Sequence, residues 1–310
     1  MEEAPMRADI TLPNNPERLG MAQMRDDLTF VCEGHAQHLT LISPARNEED
    51  TGRARFPLVV FLQGSGWTSP DRFAQLPQLC AYAQQGLAVA SITHRDSTKG
   101  HPFPGYLKDA KAAIRFLRSR AKELWLDPER VAFFGTSSGG NTALLVALTG
   151  DDSRYRTGDY AGYSDAVRCA VDCFGPTDMV DFEGSPLSQA LMAGHGISMA
   201  DLQMRAAKDD GLAQILLGLI GNQDMLGVVR GMSPILEAKP GVKYPPILML
   251  HGNADDVVPL SQSLKMRERL KKIGADCTLV EVDGAEHEGS FWSAALHGQI
   301  LDFLRAHLAE

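Results

Sequence analysis

The sequence predicts an α/β protein with a mostly parallel central sheet, flanking helices and a helical cap insertion. Three observations carry that prediction. Short apolar runs recur along the chain, amphipathic runs of helical period separate them, and one stretch, 181–232, breaks the alternation. A parallel strand covered on both faces reads as a continuous apolar run, because neither face meets water. Residues 56–62, 87–92, 131–134, 166–174 and 246–250 have that character, and 277–282 is a further strand-like run.

The other elements follow in order. Residues 1–27 are polar and predict a flexible N-terminal segment, so the main domain is read as 28–310. Runs 28–32 and 38–42 alternate polar and apolar residues, which predicts an antiparallel opening to the sheet. Helices are expected over 73–85 and 107–126, the second with Ala110, Ala113, Ile114, Leu117 and Ala121 along one side. Gly86 and Pro128 mark their ends. Two more helices are expected over 260–273 and 291–308. Stretch 181–232 is rich in Gly, Met, Leu and Gln without a strand-like run, which makes it the cap. Its methionines, Met192, Met199, Met204, Met225 and Met232, suit either the core of that cap or an adaptable pocket wall.

At 310 residues, 44% hydrophobic and 22% charged, the chain can bury a large core. A net charge of -9 and a pI near 5.5, with Lys and Arg scattered among acids, leave no basic footprint for nucleic acid. No apolar stretch is long enough to span a bilayer, and the opening Met-Glu-Glu-Ala-Pro-Met-Arg lacks the pattern of a secretion signal. The expected compartment is the cytoplasm. Cys32, Cys80, Cys169, Cys173 and Cys277 form an odd set without zinc-type spacing and read as reduced core residues.

One pentapeptide points to chemistry. Gly135-Thr136-Ser137-Ser138-Gly139 follows a strand-like run, 130–134, and opens a helix-like one, 141–148. That context is a nucleophile elbow, a turn so sharp that it lifts the central serine hydroxyl clear of its neighbours. Gly135 and Gly139 remove side chains that would collide there, and Gly140 widens the clearance. The following helix aims its free amides at the spot where an oxyanion would form, so Ser138 N–H is a candidate donor. Ligands of such sheets sit at the carboxyl ends of the strands. Two later strand ends carry acids and histidines: His251-Gly252-Asn253-Ala254-Asp255-Asp256 and Asp283-Gly284-Ala285-Glu286-His287. The chain order is then Ser, Asp, His. His287 is the candidate base, while His251, His94, His101 and His195 read as structural or surface residues.

With these motifs the chain resembles the α/β-hydrolase superfamily over roughly residues 28–308. More narrowly, it looks like the carboxylesterase branch related to hormone-sensitive lipase and to feruloyl and acetyl esterases, also labelled prolyl-oligopeptidase-like hydrolases. Four segments carry the likeness: 63–67, 103–109, the elbow, and the loop 251–259. The resemblance implies a triad of Ser137, Asp255 and His287, with Asp256 as the alternative carboxylate. It also implies oxyanion donors at Ser65 and Gly66 N–H, although Gln63 and Ser65 stand where relatives usually carry His and Gly. Trp67 is the candidate pocket wall.

The implied activity is hydrolysis of small soluble acyl esters, with feruloyl, acetyl, aromatic or carbohydrate esters as the substrate classes and without cofactor or metal. Two rival readings stand beside it. A peptidase or amidase of the prolyl-oligopeptidase type shares the triad, but such relatives usually carry a propeller that about thirty N-terminal residues cannot build. A non-catalytic ligand receptor on the same fold is the other, and such proteins commonly lose a triad residue. A homodimer through the cap or an edge strand stays open.

Overall fold

A computed structural model of the protein describes residues 8–46, 54–182, 199–208 and 210–309. Its strands are β1 (Ala22–Cys32), β2 (His35–Pro44), β3 (Phe56–Leu62), β4 (Ala88–Ile92), β5 (Leu126–Thr136), β6 (Cys169–Cys173), β7 (Ile247–Gly252) and β8 (Cys277–Val282). They form one sheet in the order β1-β2-β4-β3-β5-β6-β7-β8. β1 pairs β2 and β2 pairs β4 antiparallel, and every later pairing is parallel.

The helices are α1 (Leu76–Gln84), α2 (Gly105–Ser119), α3 (Ser138–Thr149), α4 (Met199–Ala206), α5 (Gly211–Ile220), α6 (Met225–Gly231), α7 (Pro234–Glu237), α8 (Ser261–Lys272) and α9 (Ala294–Leu308). Alternate residues of the central strands feed opposite faces. Val60 and Phe133 pack with Leu107, Ile114 and Leu117 of α2, whereas Val59, Phe61 and Phe134 pack with Leu79 of α1 and Ile300 and Leu304 of α9. Fully burying one such side chain contributes about 1.5–3 kcal/mol, so a one-residue slip of β3 or β5 is strongly disfavoured. That fixed register holds the ends of β3 and β5 side by side, with Leu62 opposite Gly135.

Two boundaries depart from the pattern. β1 begins at Ala22, inside the segment expected to be flexible to residue 27. Its first residues pair backbone to backbone with β2 while their side chains stay largely exposed, so no apolar alternation announces them. The second expected helix stops at Ser119 rather than 126. The helix leaves helical torsions at Arg120, and Trp125, with a left-handed φ of 58°, then turns the chain so that Leu126 pairs with Phe56 in the sheet.

Within the expected cap, the described residues form α4, α5 and α6. α5 lies against the turn at Ser97–Lys99, and Met232 is buried while Met204 is exposed. Residues 183–198 of the cap, with Met192 and His195, lie outside the described residues. Among the described residues, no helix is long and apolar enough to cross a membrane.

Candidate active site

The elbow sits where β5 ends and α3 begins. Ser137 adopts φ 51° and ψ -120°, a strained conformation for a residue with a side chain, and its N–H donates to Cys173 O at 2.8 Å. A Cβ on Gly135 would overlap the carbonyl of Gly139, and one on Gly139 would overlap the carbonyl of Leu62. Only glycine lets the turn settle this closely onto β3.

The loops after β7 and β8 bring the candidate acid and base to that serine. His287 Nδ1 lies 2.7 Å from Asp255 Oδ2, and His287 Nε2 lies 3.1 Å from Ser137 Oγ. A carboxylate only accepts, so Nδ1 carries the hydrogen and Nε2 turns its lone pair to the serine hydroxyl. The edge of Phe174, with ring centroids 4.6 Å apart, braces the imidazole.

Asp255 is heavily bonded. Oδ1 accepts Val257 N–H at 2.9 Å and Val258 N–H at 2.8 Å, while Oδ2 faces His287 and, at 3.3 Å, His251 Nε2. Burial of the carboxyl favours its protonated form, but the hydrogen bonds from His251, His287 and the Val258 amide outweigh it and hold Asp255 well below the usual carboxylate range. Asp256, its neighbour in sequence, is exposed to solvent.

The second oxyanion segment differs from expectation in one respect. Ser65 N–H, expected to face the oxyanion, instead donates to Ser138 Oγ at 2.9 Å, because the residue after Ser137 is a serine whose hydroxyl reaches the loop. Gly64 N–H donates in the same way to Thr136 Oγ1 at 2.8 Å. The elbow thus grips the loop through the hydroxyls on either side of Ser137. Gln63 Oε1 anchors the far side by accepting Asp71 N–H at 2.9 Å, and Ser65 Oγ turns away to Thr68 O. Among the described residues, Gly66 N–H and Ser138 N–H find no protein acceptor.

Two cavities of about 290 Å³ each open on Ser137. The apolar one is walled by Trp67, Met179, Phe182, Ile215, Leu216 and Val257. The more polar one is walled by Gln63, Ser65, Gln75, His287 and Glu288. Trp67, singled out in the sequence, does line a cavity beside the serine. Ile215 and Leu216 come from α5, and no local pattern ties that helix to the elbow. His94 and His101 stand apart from this site, His94 buried against Arg95 O and His101 stacked edge-on to His35. Among the described residues, no cluster of His, Cys, Asp and Glu could hold a metal ion. His251 and His287 turn N–H groups toward Asp255, not lone pairs.

The chain is similar to known esterases in sequence and in fold. The chain is 25% identical over 253 residues to the probable carboxylic ester hydrolase LipM of Mycobacterium tuberculosis, a match that takes in 80% of this chain and 52% of LipM. It is 27% identical to esterase LipC of the same organism, over 74% of this chain and 52% of LipC. The chain therefore spans about half the length of these curated relatives. Among solved structures, a truncated carbohydrate esterase from gut microbiota superposes with a TM-score of 0.73 at 25% identity, covering 96% of this chain and all of that one. The propionate-bound esterase Est2 of Thermogutta terrifontis superposes at 0.68 with 22% identity, over 95% of this chain and 96% of its own, and shares the fold. The sheet and its neighbours define an α/β-hydrolase fold. The model of the BD-FAE family matches residues 47–270, and the chain belongs to that family.

Proposed function

We propose that the protein is a serine carboxylester hydrolase that works through an acyl-enzyme intermediate. The observation that carries this reading is the unbroken relay from Asp255 Oδ2 through the His287 ring to Ser137 Oγ, with contacts of 2.7 and 3.1 Å. The names of the relatives, carboxylic ester hydrolase and esterase, support the same reading.

His287 Nε2 removes the proton of Ser137 as the hydroxyl attacks the ester carbonyl carbon, and Asp255 stabilises the imidazolium that results. The oxyanion is received by the amides of Gly66 and Ser138, which have no protein acceptor among the described residues. Collapse of the tetrahedral intermediate breaks the bond to the alcohol oxygen, which takes the proton from His287. A water then gives its proton to the same nitrogen and attacks the acyl carbon, and collapse breaks the bond to Ser137 Oγ, which takes that proton back as the acid leaves.

The two cavities divide the substrate. His287 must reach the leaving alcohol, and it lines the polar cavity and not the apolar one. The alcohol therefore occupies the polar side, beside Gln63, Gln75 and Glu288, and the acyl group lies against Trp67, Phe182 and Leu216. A cavity of about 290 Å³ is far larger than an acetyl group, so medium-chain or aromatic acyl groups, feruloyl among them, fit better than acetyl. Hydroxyl-rich alcohols such as sugars suit the polar wall.

The test is hydrolysis of p-nitrophenyl esters from acetate to octanoate, and of methyl ferulate, by wild type and Ser137→Ala. We expect kcat/KM to rise from acetate toward the larger acyl groups, and Ser137→Ala to lower it by roughly 10⁴-fold or more. Turnover that survives in Ser137→Ala would remove Ser137 from the reaction. A preference for acetate over every longer acyl group would reverse the assignment of the cavities.

A further inference from the structure

His251 sits at the end of β7, fully buried, and two of its contacts are to acceptors. Nε2 lies 2.8 Å from Val258 O and 3.3 Å from Asp255 Oδ2, and Nδ1 lies 2.7 Å from Ser263 Oγ. A carbonyl and a carboxylate can only accept, so Nε2 must carry a hydrogen whichever way the ring is protonated. The Ser263 hydroxyl can donate or accept and so accommodates Nδ1 in either state. Asp255 thus stands between two imidazoles: His287 reaches Oδ2 from the serine side and His251 from inside the protein.

We propose that His251 is a positioning residue that acts through Asp255, sharing its Nε2–H between Val258 O and Asp255 Oδ2 so that the carboxylate can point in only one direction. The inference rests on the triad reading above. The physical argument is one of rotation. Asp255 Oδ1 is pinned by two amides of its own turn, and those two bonds alone leave the carboxylate free to pivot about the line of Oδ1. A donor fixed to the rigid end of β7 removes that pivot. It also ties the turn at Val258 to the sheet, and the sheet carries Ser137 through β5 and β6. The distance between acid and serine is then set by strand register and not by a loop.

Two substitutions separate this role from simple filling of space. Gln at 251 can put an amide N–H where Nε2 was, whereas Asn puts its amide at the level of Nδ1, facing Ser263, and leaves Asp255 without the donor. With p-nitrophenyl butyrate, His251→Asn should lower kcat by roughly 10- to 100-fold, the worth of a hydrogen bond to a charged group, with KM little changed. His251→Gln should recover most of that loss. In the background of Asp255→Asn, His251→Asn should cost less than about threefold, because a residue that acts through Asp255 has nothing left to act on.

Full activity in Asp255→Asn would overturn the triad reading and this inference with it. Loss of activity in Asp255→Asn, with full activity in His251→Asn or an equal further loss in the double variant, would overturn the role of His251 alone. Should His251→Asn not fold, ¹⁵N spectra of the histidines in wild type and in Asp255→Asn decide the matter. A His251 Nε2–H resonance that shifts when Asp255 is replaced by Asn upholds the proposal, and one that stays where it was, held by Val258 O alone, overturns it.

Discussion

Asp255, after β7, and Asp172, on the adjacent β6, both have carboxyl groups sealed from solvent, yet their acidities are moved in opposite directions. Asp255 collects four donors on its two oxygens and stays ionised well below the ordinary carboxylate range. Asp172 accepts one, Gly175 N–H at 2.9 Å on Oδ1, and its Oδ2 has no partner. Burial dominates there, and although nearby His251 and that amide oppose it, the group is pushed up to about 7. The difference teaches that in this sheet the number of donors, and not depth, separates an acid held ionised from one whose proton is retained up to about 7.

The largest expected effect tests the ionised partner. Asp255→Asn should lower kcat/KM by roughly 10³- to 10⁴-fold, since an amide no longer holds the His287 tautomer or stabilises its charge. Asp256→Asn, one residue away and solvent-exposed, should leave the rate near wild type. Equal losses in the two variants would erase the distinction between the neighbours.

The raised carboxyl of Asp172 is tested through stability. A carboxyl whose folded value lies above its unfolded one favours the folded state most at low pH, and that advantage is lost as pH rises through about 7. The advantage lost between pH 4 and pH 8 is on the order of 4 kcal/mol. Asp172→Asn keeps an acceptor for Gly175 N–H and cannot ionise. Its urea midpoint should therefore exceed that of wild type at pH 8, with the gap narrowing toward pH 5. An unchanged pH slope would break the comparison. Asp255 has the opposite sign: its depressed value adds stability above the ordinary carboxylate range, which is lost as pH falls below it.

A smaller effect extends the same logic to neutral groups. Ser138→Ala removes the acceptor that Ser65 N–H uses and frees the loop that carries Gly66. The expected change is a loss of roughly tenfold in kcat, the scale of one net hydrogen bond of about 1.5 kcal/mol, with KM and the melting temperature nearly unchanged. An unaltered kcat would mean that the Thr136 hydroxyl on Gly64 N–H holds the loop by itself.

Much of the fold was legible because it depends on patterns that are local in the chain. The run 56–62 coincides with β3, since burial of both faces demands continuous apolar sequence. The start of β1 was not legible, because backbone pairing at an edge places no demand on side chains. Gly135 and Gly139 around Ser137 could be read as a turn without seeing it, for the steric requirement lies within five residues.

The sequence by itself determined that the sheet is mostly parallel, that Ser137 lies on a strained strand-to-helix turn, and that acids and a histidine follow β7 and β8 in that order. Only the tertiary structure decided which of Asp255 and Asp256 meets His287, that Ser65 N–H is taken by Ser138, that α5 walls the apolar cavity, and that His251 touches the acid from behind. Each of these depends on the direction of a side chain or an amide across distant segments. Periodicity fixes which face of an element is buried, but backbone torsions in the turns and the packing of strand on strand set where a single atom points.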